Sequence, residues 1–104
     1  MPKQLTIAID FDGTWTADAD AWLSFYKEMT DRGHTIIIVT GREIWTSDMS
    51  RHCLPDLVRI VFCNNKPKEQ EAIRNGYKVD IWIDDNPGTI QPFKFLQEVA
   101  DTEL

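Results

Sequence analysis

Ile36-Ile37-Ile38-Val39 is an unbroken run of branched aliphatic residues, and it narrows the choice of fold more than any other feature of the chain. A strand with one wet face alternates apolar and polar residues. A continuous apolar run of this length suits a strand covered on both faces, as in a parallel sheet flanked by helices. Three more β-rich runs accompany it: Leu5 to Ile9, Val58 to Phe62 and Val79 to Ile83, the second strand itself being read as Thr35 to Val39. Helical stretches separate them. Asp18 to Arg32 carries Ala21, Trp22, Phe25 and Met29 at spacings of three and four, with Gly33 placed to cap it. Pro67 to Asn75 starts on a proline and is followed by Gly76, and Glu43 to His52 is a weaker helical candidate. The order is β-α-β-α-β-α-β with a tail in which Phe93, Phe95, Leu96 and Val99 suggest a short closing helix. This predicts an α/β fold: a three-layer Rossmann-like sandwich around a mostly parallel sheet of about four strands, joined by right-handed crossovers.

The 104 residues fit one domain, 1–104, and leave no room for a second. Hydrophobic residues make up 42% and charged residues 27%, which sets disorder aside. A formal net charge of −6 argues against loose, charge-driven binding to nucleic acid or anionic membrane. The Leu5–Ile9 run is too short for a signal-peptide core or a membrane span and is closed by Asp10 and Asp12, so a cytoplasmic location is expected. Cys53 and Cys63 form no C-x-x-C pair and are read as reduced thiols; His34 is read as a surface or edge residue, and His52 beside Cys53 falls short of a zinc set.

In open parallel sheets, ligands bind beyond the carboxyl ends of the strands. The residues found there are polar in all four cases: Asp10, Asp12, Gly13 and Thr14; then Thr40, Gly41 and Arg42; then Cys63, Asn64, Asn65 and Lys66; then Asp84, Asp85 and Asn86. Four carboxylates on one rim repel one another unless a cation shares them, and carboxylate oxygens select hard cations such as Mg²⁺.

Asp10-Phe11-Asp12-Gly13-Thr14 resembles the signature D-x-D-G-T loop of haloacid-dehalogenase-like (HAD-like) phosphatases. Thr40-Gly41-Arg42 is similar to the second motif of that superfamily, Lys66-Pro67 to the third and Asp84-Asp85 to the fourth, in the same order along the chain. The resemblance covers Leu5 to about Pro87. It implies a Mg²⁺-dependent phosphomonoester hydrolase in which Asp10 is the nucleophile and forms an aspartyl-phosphate. Asp12 is then the general acid and base, with its backbone carbonyl on the metal. Thr40 donates to a phosphate oxygen, and the amides of Phe11 and Gly13 face the phosphate with Thr14 and Gly41 beside them. A lysine offsets the negative charge, where Lys66 and Lys68 compete and the Lys-Pro arrangement favours Lys66. Asp84 is a direct metal ligand, with Asp85 direct or through water. Arg42 either reaches phosphate or forms a surface salt bridge.

The short segments after the D-x-D-G-T loop and between the second and third strands hold no folded cap. A capless site suits a large substrate or a pocket completed by a second copy of the chain. Trp22 and Trp82 read as packing residues. Trp15 and Trp45 follow the first and second motifs closely and are candidates for an aromatic platform that would favour a nucleotide or nucleic-acid end, against phosphosugars and phosphoproteins. Rival readings are a phosphotransferase, a phosphate-binding or regulatory domain without turnover, and a receiver-type phospho-acceptor module. The last is disfavoured because the acidic pair comes last here and the D-x-D first.

Overall fold

Ile7 and Ile9 point to one side of a sheet and Ala8 to the other, and the same alternation runs through every strand. The computed structural model describes residues 3–91. Its strands are β1 (Thr6–Ile9), β2 (Thr35–Thr40), β3 (Arg59–Phe62) and β4 (Ile81–Ile83), all parallel, in the spatial order β3-β2-β1-β4. Helix α1 (Ala19–Asp31) follows β1, and α2 (Lys68–Arg74) follows β3. Ile7, Ile9, Ile36 and Ile38 form one core cluster, against which Trp22, Leu23, Phe25, Tyr26 and Met29 of α1 pack. Ala8, Ile37, Val39, Val61 and Cys63 form a second cluster on the opposite face, with Tyr77, Val79 and Trp82. The run Ile36–Val39 is buried throughout because each face of β2 has its own layer.

The chain steps from β1 to β2 to β3 in one direction and then returns to the far side of β1 as β4. Helices α1 and α2 lie on opposite faces, which is the arrangement that right-handed crossovers produce when the direction of travel reverses. The reversal leaves a crevice at the carboxyl ends of β1 and β4, where ligands of such sheets bind.

Several boundaries differ from the sequence reading. Asp80 pairs by its backbone with Thr6 and accepts the Thr6 amide on its side chain, so β4 starts at Ile81 rather than Val79. Ala21 faces solvent, the buried side of α1 being carried by the larger residues around it. The helix expected over Glu43–His52 is reduced to a 3-10 segment, Ser47–His52. Thr46 and Asp48 give their side chains to Arg42, and Met49 N–H closes a three-residue turn onto Thr46. Met49 itself is fully buried and anchors the segment to the core. Between β1 and α1 stands only the 3-10 turn Trp15–Ala17, so neither intervening segment holds a cap. The closing helix expected near Phe93–Val99 lies outside the described residues. Among those described, no helix is long and apolar enough to cross a membrane.

Candidate functional site

Sheet register brings the acidic residues together. Ile9 is level with Ile83, and the Asp10 amide donates to the Ile83 carbonyl at 2.9 Å, so Asp10 and Asp84 leave the sheet side by side. The chain then turns widely, with Trp15 N–H bonding Asp10 O and Thr16 N–H bonding Phe11 O. Thr14 is thereby folded back over Asp10. Its hydroxyl lies 3.2 Å from both Asp10 Oδ2 and Asp85 Oδ1, and it accepts the Asp85 amide at 3.1 Å. Gly13 makes this closure sterically feasible: its φ is +85°, and a Cβ there would collide with the Asp85 carboxylate.

Asp10, Asp84 and Asp85 each offer a carboxylate oxygen, and these oxygens lie within 4.8 Å of one another. Lys68 Nζ stands between two of them, 2.8 Å from Asp10 Oδ1 and 2.6 Å from Asp84 Oδ2. Burial pushes the Asp10 carboxyl up to about 6; the contact with Asp85 adds to this and Lys68 opposes it. Asp85 is held below the usual carboxylate range by that contact with Asp10 and by the Thr14 hydroxyl. Burial alone would lower the Lys68 ammonium, but its bonds to Asp10 and Asp84 more than offset this and hold it above the ordinary lysine value. Three hard oxygen donors around a partly buried pocket, with Lys68 against them, fit a small divalent cation better than a soft metal.

Of the two competing lysines, Lys68 and not the favoured Lys66 reaches the carboxylates. Asn64 and Asn65 are both left-handed (φ 49° and 60°), and Lys66 N–H closes the turn onto Cys63 O. This tight turn leaves Lys66 exposed on the cleft wall, while Lys68, the first residue of α2, is buried with 4% of its surface exposed.

Arg42 forms ion pairs on two sides. Its Nε and Nη2 donate to the two oxygens of Asp12, each at 2.8 Å, and Nη1 and Nη2 donate to the two oxygens of Asp48, each at 3.0 Å. Nη1 also donates to Thr46 Oγ1 at 2.6 Å. The guanidinium lies 5.1 Å from the centroid of the Phe11 ring, which is wholly buried. These pairs hold Arg42 above its ordinary value and Asp48 well below the usual carboxylate range. The Asp12 carboxylate is thus turned to Arg42 and stands apart from the Asp10–Asp84–Asp85 group.

The remaining expected residues divide. Thr40 is fully buried at the end of β2, and its hydroxyl accepts the Arg42 amide, so it shapes the turn around Gly41. The Gly13 amide, expected to face phosphate, donates to Thr16 Oγ1. Trp15 is not at the rim: it has no exposed surface and donates Nε1–H to the His52 carbonyl. Trp45 is 46% exposed and is not among the residues that line the cleft. Trp22 and Trp82 pack against the two core clusters. His34 sits at the other end of the sheet, where Nδ1 accepts the Leu5 amide. The cleft, about 740 Å³, is lined by Asp10, Asp12, Gly41, Arg42, Asn64 to Lys68, and Asp84 to Asn86, among others. Sequence reasoning missed Thr46 and Asp48, at the start of the 3-10 segment, where no motif marks them.

The architecture and site define an α/β protein with an acidic cleft at the switch point of a parallel sheet. Comparison with protein-family models, curated proteins and solved structures gave no match.

Proposed function

We propose that the chain is a Mg²⁺-dependent phosphomonoester hydrolase of the HAD-like kind, working through an aspartyl-phosphate on Asp10. The observation that carries this reading is the pairing of a buried carboxylate with a buried lysine inside a three-carboxylate cluster at the mouth of the sheet. Asp10, Asp84 and Asp85 would hold the metal, which supplies charge neutralisation of phosphate beside the carboxylates. An Asp10 oxygen attacks phosphorus, and the bond from phosphorus to the leaving oxygen breaks. That oxygen keeps the electron pair and takes a proton from Asp12. Water then attacks the acyl-phosphate and gives its proton to Asp12. The bond between phosphorus and Asp10 breaks, releasing inorganic phosphate and restoring the carboxylate. Lys68 holds Asp10 and Asp84 in place and offsets their charge; Thr14 orients Asp10 against Asp85.

The open cleft admits a phosphate at the end of a larger molecule. Trp45 is exposed and follows Arg42 by three residues in sequence, and it supports a nucleotide or nucleic-acid end as substrate. Hydrolysis of p-nitrophenyl phosphate and nucleoside monophosphates, with Mg²⁺ and with EDTA, tests the reading. Metal-dependent release of phosphate that Asp10→Asn abolishes supports it, and equal release by the variant or in EDTA contradicts it.

A further inference from the structure

Arg42 has all five of its N–H donors committed. A guanidinium carries five, and the five bonds to Asp12, Asp48 and Thr46 account for each: Nε to Asp12, Nη2 to Asp12 and Asp48, Nη1 to Asp48 and Thr46. Two carboxylates grip adjacent edges of one rigid plane, so the position of one fixes the position of the other.

The two grips are anchored alike. Asp12 follows the fully buried Phe11 and has 55% of its side chain exposed; Asp48 has 47% exposed. Asp48 precedes Met49, which has no exposed surface, and lies in a segment tied to the core by the Trp15 bond to His52 and the edge-on contact of Phe11 with His52. Thr46 adds a hydroxyl bond to Asp48. The Arg42 backbone is pinned as well, its amide to Thr40 Oγ1 and its carbonyl to Asn64 N–H. The fixed element shared by both carboxylates is therefore Arg42, and Asp48 and Asp12 each constrain the guanidinium that holds the other.

We infer that Asp48 is a positioning residue for proton transfer: it shares the Arg42 guanidinium with Asp12, and by holding that guanidinium it fixes where the Asp12 carboxyl stands on the cleft wall. This rests on the phosphomonoesterase reading. In that reaction the leaving oxygen departs with the electron pair of its bond to phosphorus and needs the proton of Asp12 only insofar as it is basic. A residue that acts through Asp12 is felt strongly when the leaving group is a basic alkoxide and weakly when it is a stabilised phenolate. A residue that only supports the fold is felt equally by both.

The test is kcat/KM for a series of aryl and alkyl phosphates of rising leaving-group basicity, measured with Mg²⁺ for wild type, Asp48→Ala, Asp48→Asn and, as reference, Asp12→Asn. The expected result is that Asp48→Ala loses about tenfold or more on alkyl phosphates while dinitrophenyl phosphate changes less than about twofold. Its dependence on leaving-group basicity then steepens toward that of Asp12→Asn. Asp48→Asn, which keeps one acceptor oxygen for Arg42, falls between. A uniform loss across the series, or no loss, overturns the assignment of Asp48 and leaves the phosphatase reading standing. Wild type inert toward the entire series overturns that reading, and the inference with it.

Discussion

Lys68 Nζ and Asp10 Oδ1 stand 2.8 Å apart, with only 6% of each side chain exposed. The pair joins the start of α2 to the end of β1, and Asp84 completes it from β4. Removing the lysine strands two carboxylates in a buried place. Lys68→Ala is expected to abolish activity and to cost about 3 kcal/mol in stability, the range for breaking one partner of a buried pair. Lys66→Ala, on the exposed cleft wall, should cost under about 0.5 kcal/mol and only part of the activity. Urea unfolding and steady-state rates of both variants check the ranking.

The Asp10 carboxyl is raised to about 6 from an ordinary 3.8. Between those values the folded chain binds more protons at Asp10 than the unfolded chain does. Asp10 therefore makes the metal-free protein less stable as pH rises from about 4 to about 6 and adds no further change above. Its full effect is on the order of 3 kcal/mol, partly returned by Asp85, which shifts the other way. Asp10→Asn should gain stability over wild type across that window and hold the gain at neutral pH. Thermal unfolding of both proteins in EDTA from pH 4 to 8 measures the difference; a gain that is largest at pH 4 runs against the account.

Mg²⁺ binding to the folded chain alone should raise the melting temperature, with a stabilisation of about 2.7 kcal/mol at a hundredfold excess over Kd. Asp84→Asn and Asp85→Asn should each blunt the rise. Calorimetry with and without Mg²⁺ reads it, and an unchanged wild-type melting temperature contradicts a metal at these carboxylates.

Gly13 combines φ +85° with a Cβ direction that runs into Asp85. Gly13→Ala is expected to cost about 1–3 kcal/mol and to displace Asp85, lowering activity more than Gly33→Ala. Gly33 shares the positive φ, but its Cβ would have nothing within 4 Å. Comparing the two variants separates the steric clash from backbone strain.

Trp15 and Trp45 should now behave differently. Trp15→Ala empties a fully buried position and breaks the bond to His52, at a cost of about 3–5 kcal/mol. Trp45→Ala should leave stability near wild type and raise KM for nucleotide substrates with kcat little changed. Urea titration and kinetics on nucleoside monophosphates distinguish them.

The architecture was legible because its signals are periodic. The unbroken Ile36–Val39 run called for two covered faces, and the polar residues after each strand marked one rim. Sequence proximity served less well. Trp15 follows the D-x-D-G-T loop directly, yet the wide turn at Asp10 and Phe11 carries its ring into the core. Lys66 has the familiar neighbour in Pro67, yet two left-handed asparagines aim it outward. Asp48 meets Arg42 from six residues away, across a turn that leads into a 3-10 segment and carries no repeating pattern to mark the contact.

The central claim is that Asp10 carries the phosphoryl group. Wild type and Asp10→Asn, mixed with a phosphomonoester and Mg²⁺ and quenched in acid at short times, should be digested and the peptide spanning Leu5 to Trp15 analysed by mass spectrometry. The account predicts a phosphoryl group on Asp10 in the wild type that disappears as substrate is consumed, and none on the variant. Turnover of substrate with that peptide unmodified at every time point, or phosphorylation of another residue, would contradict it.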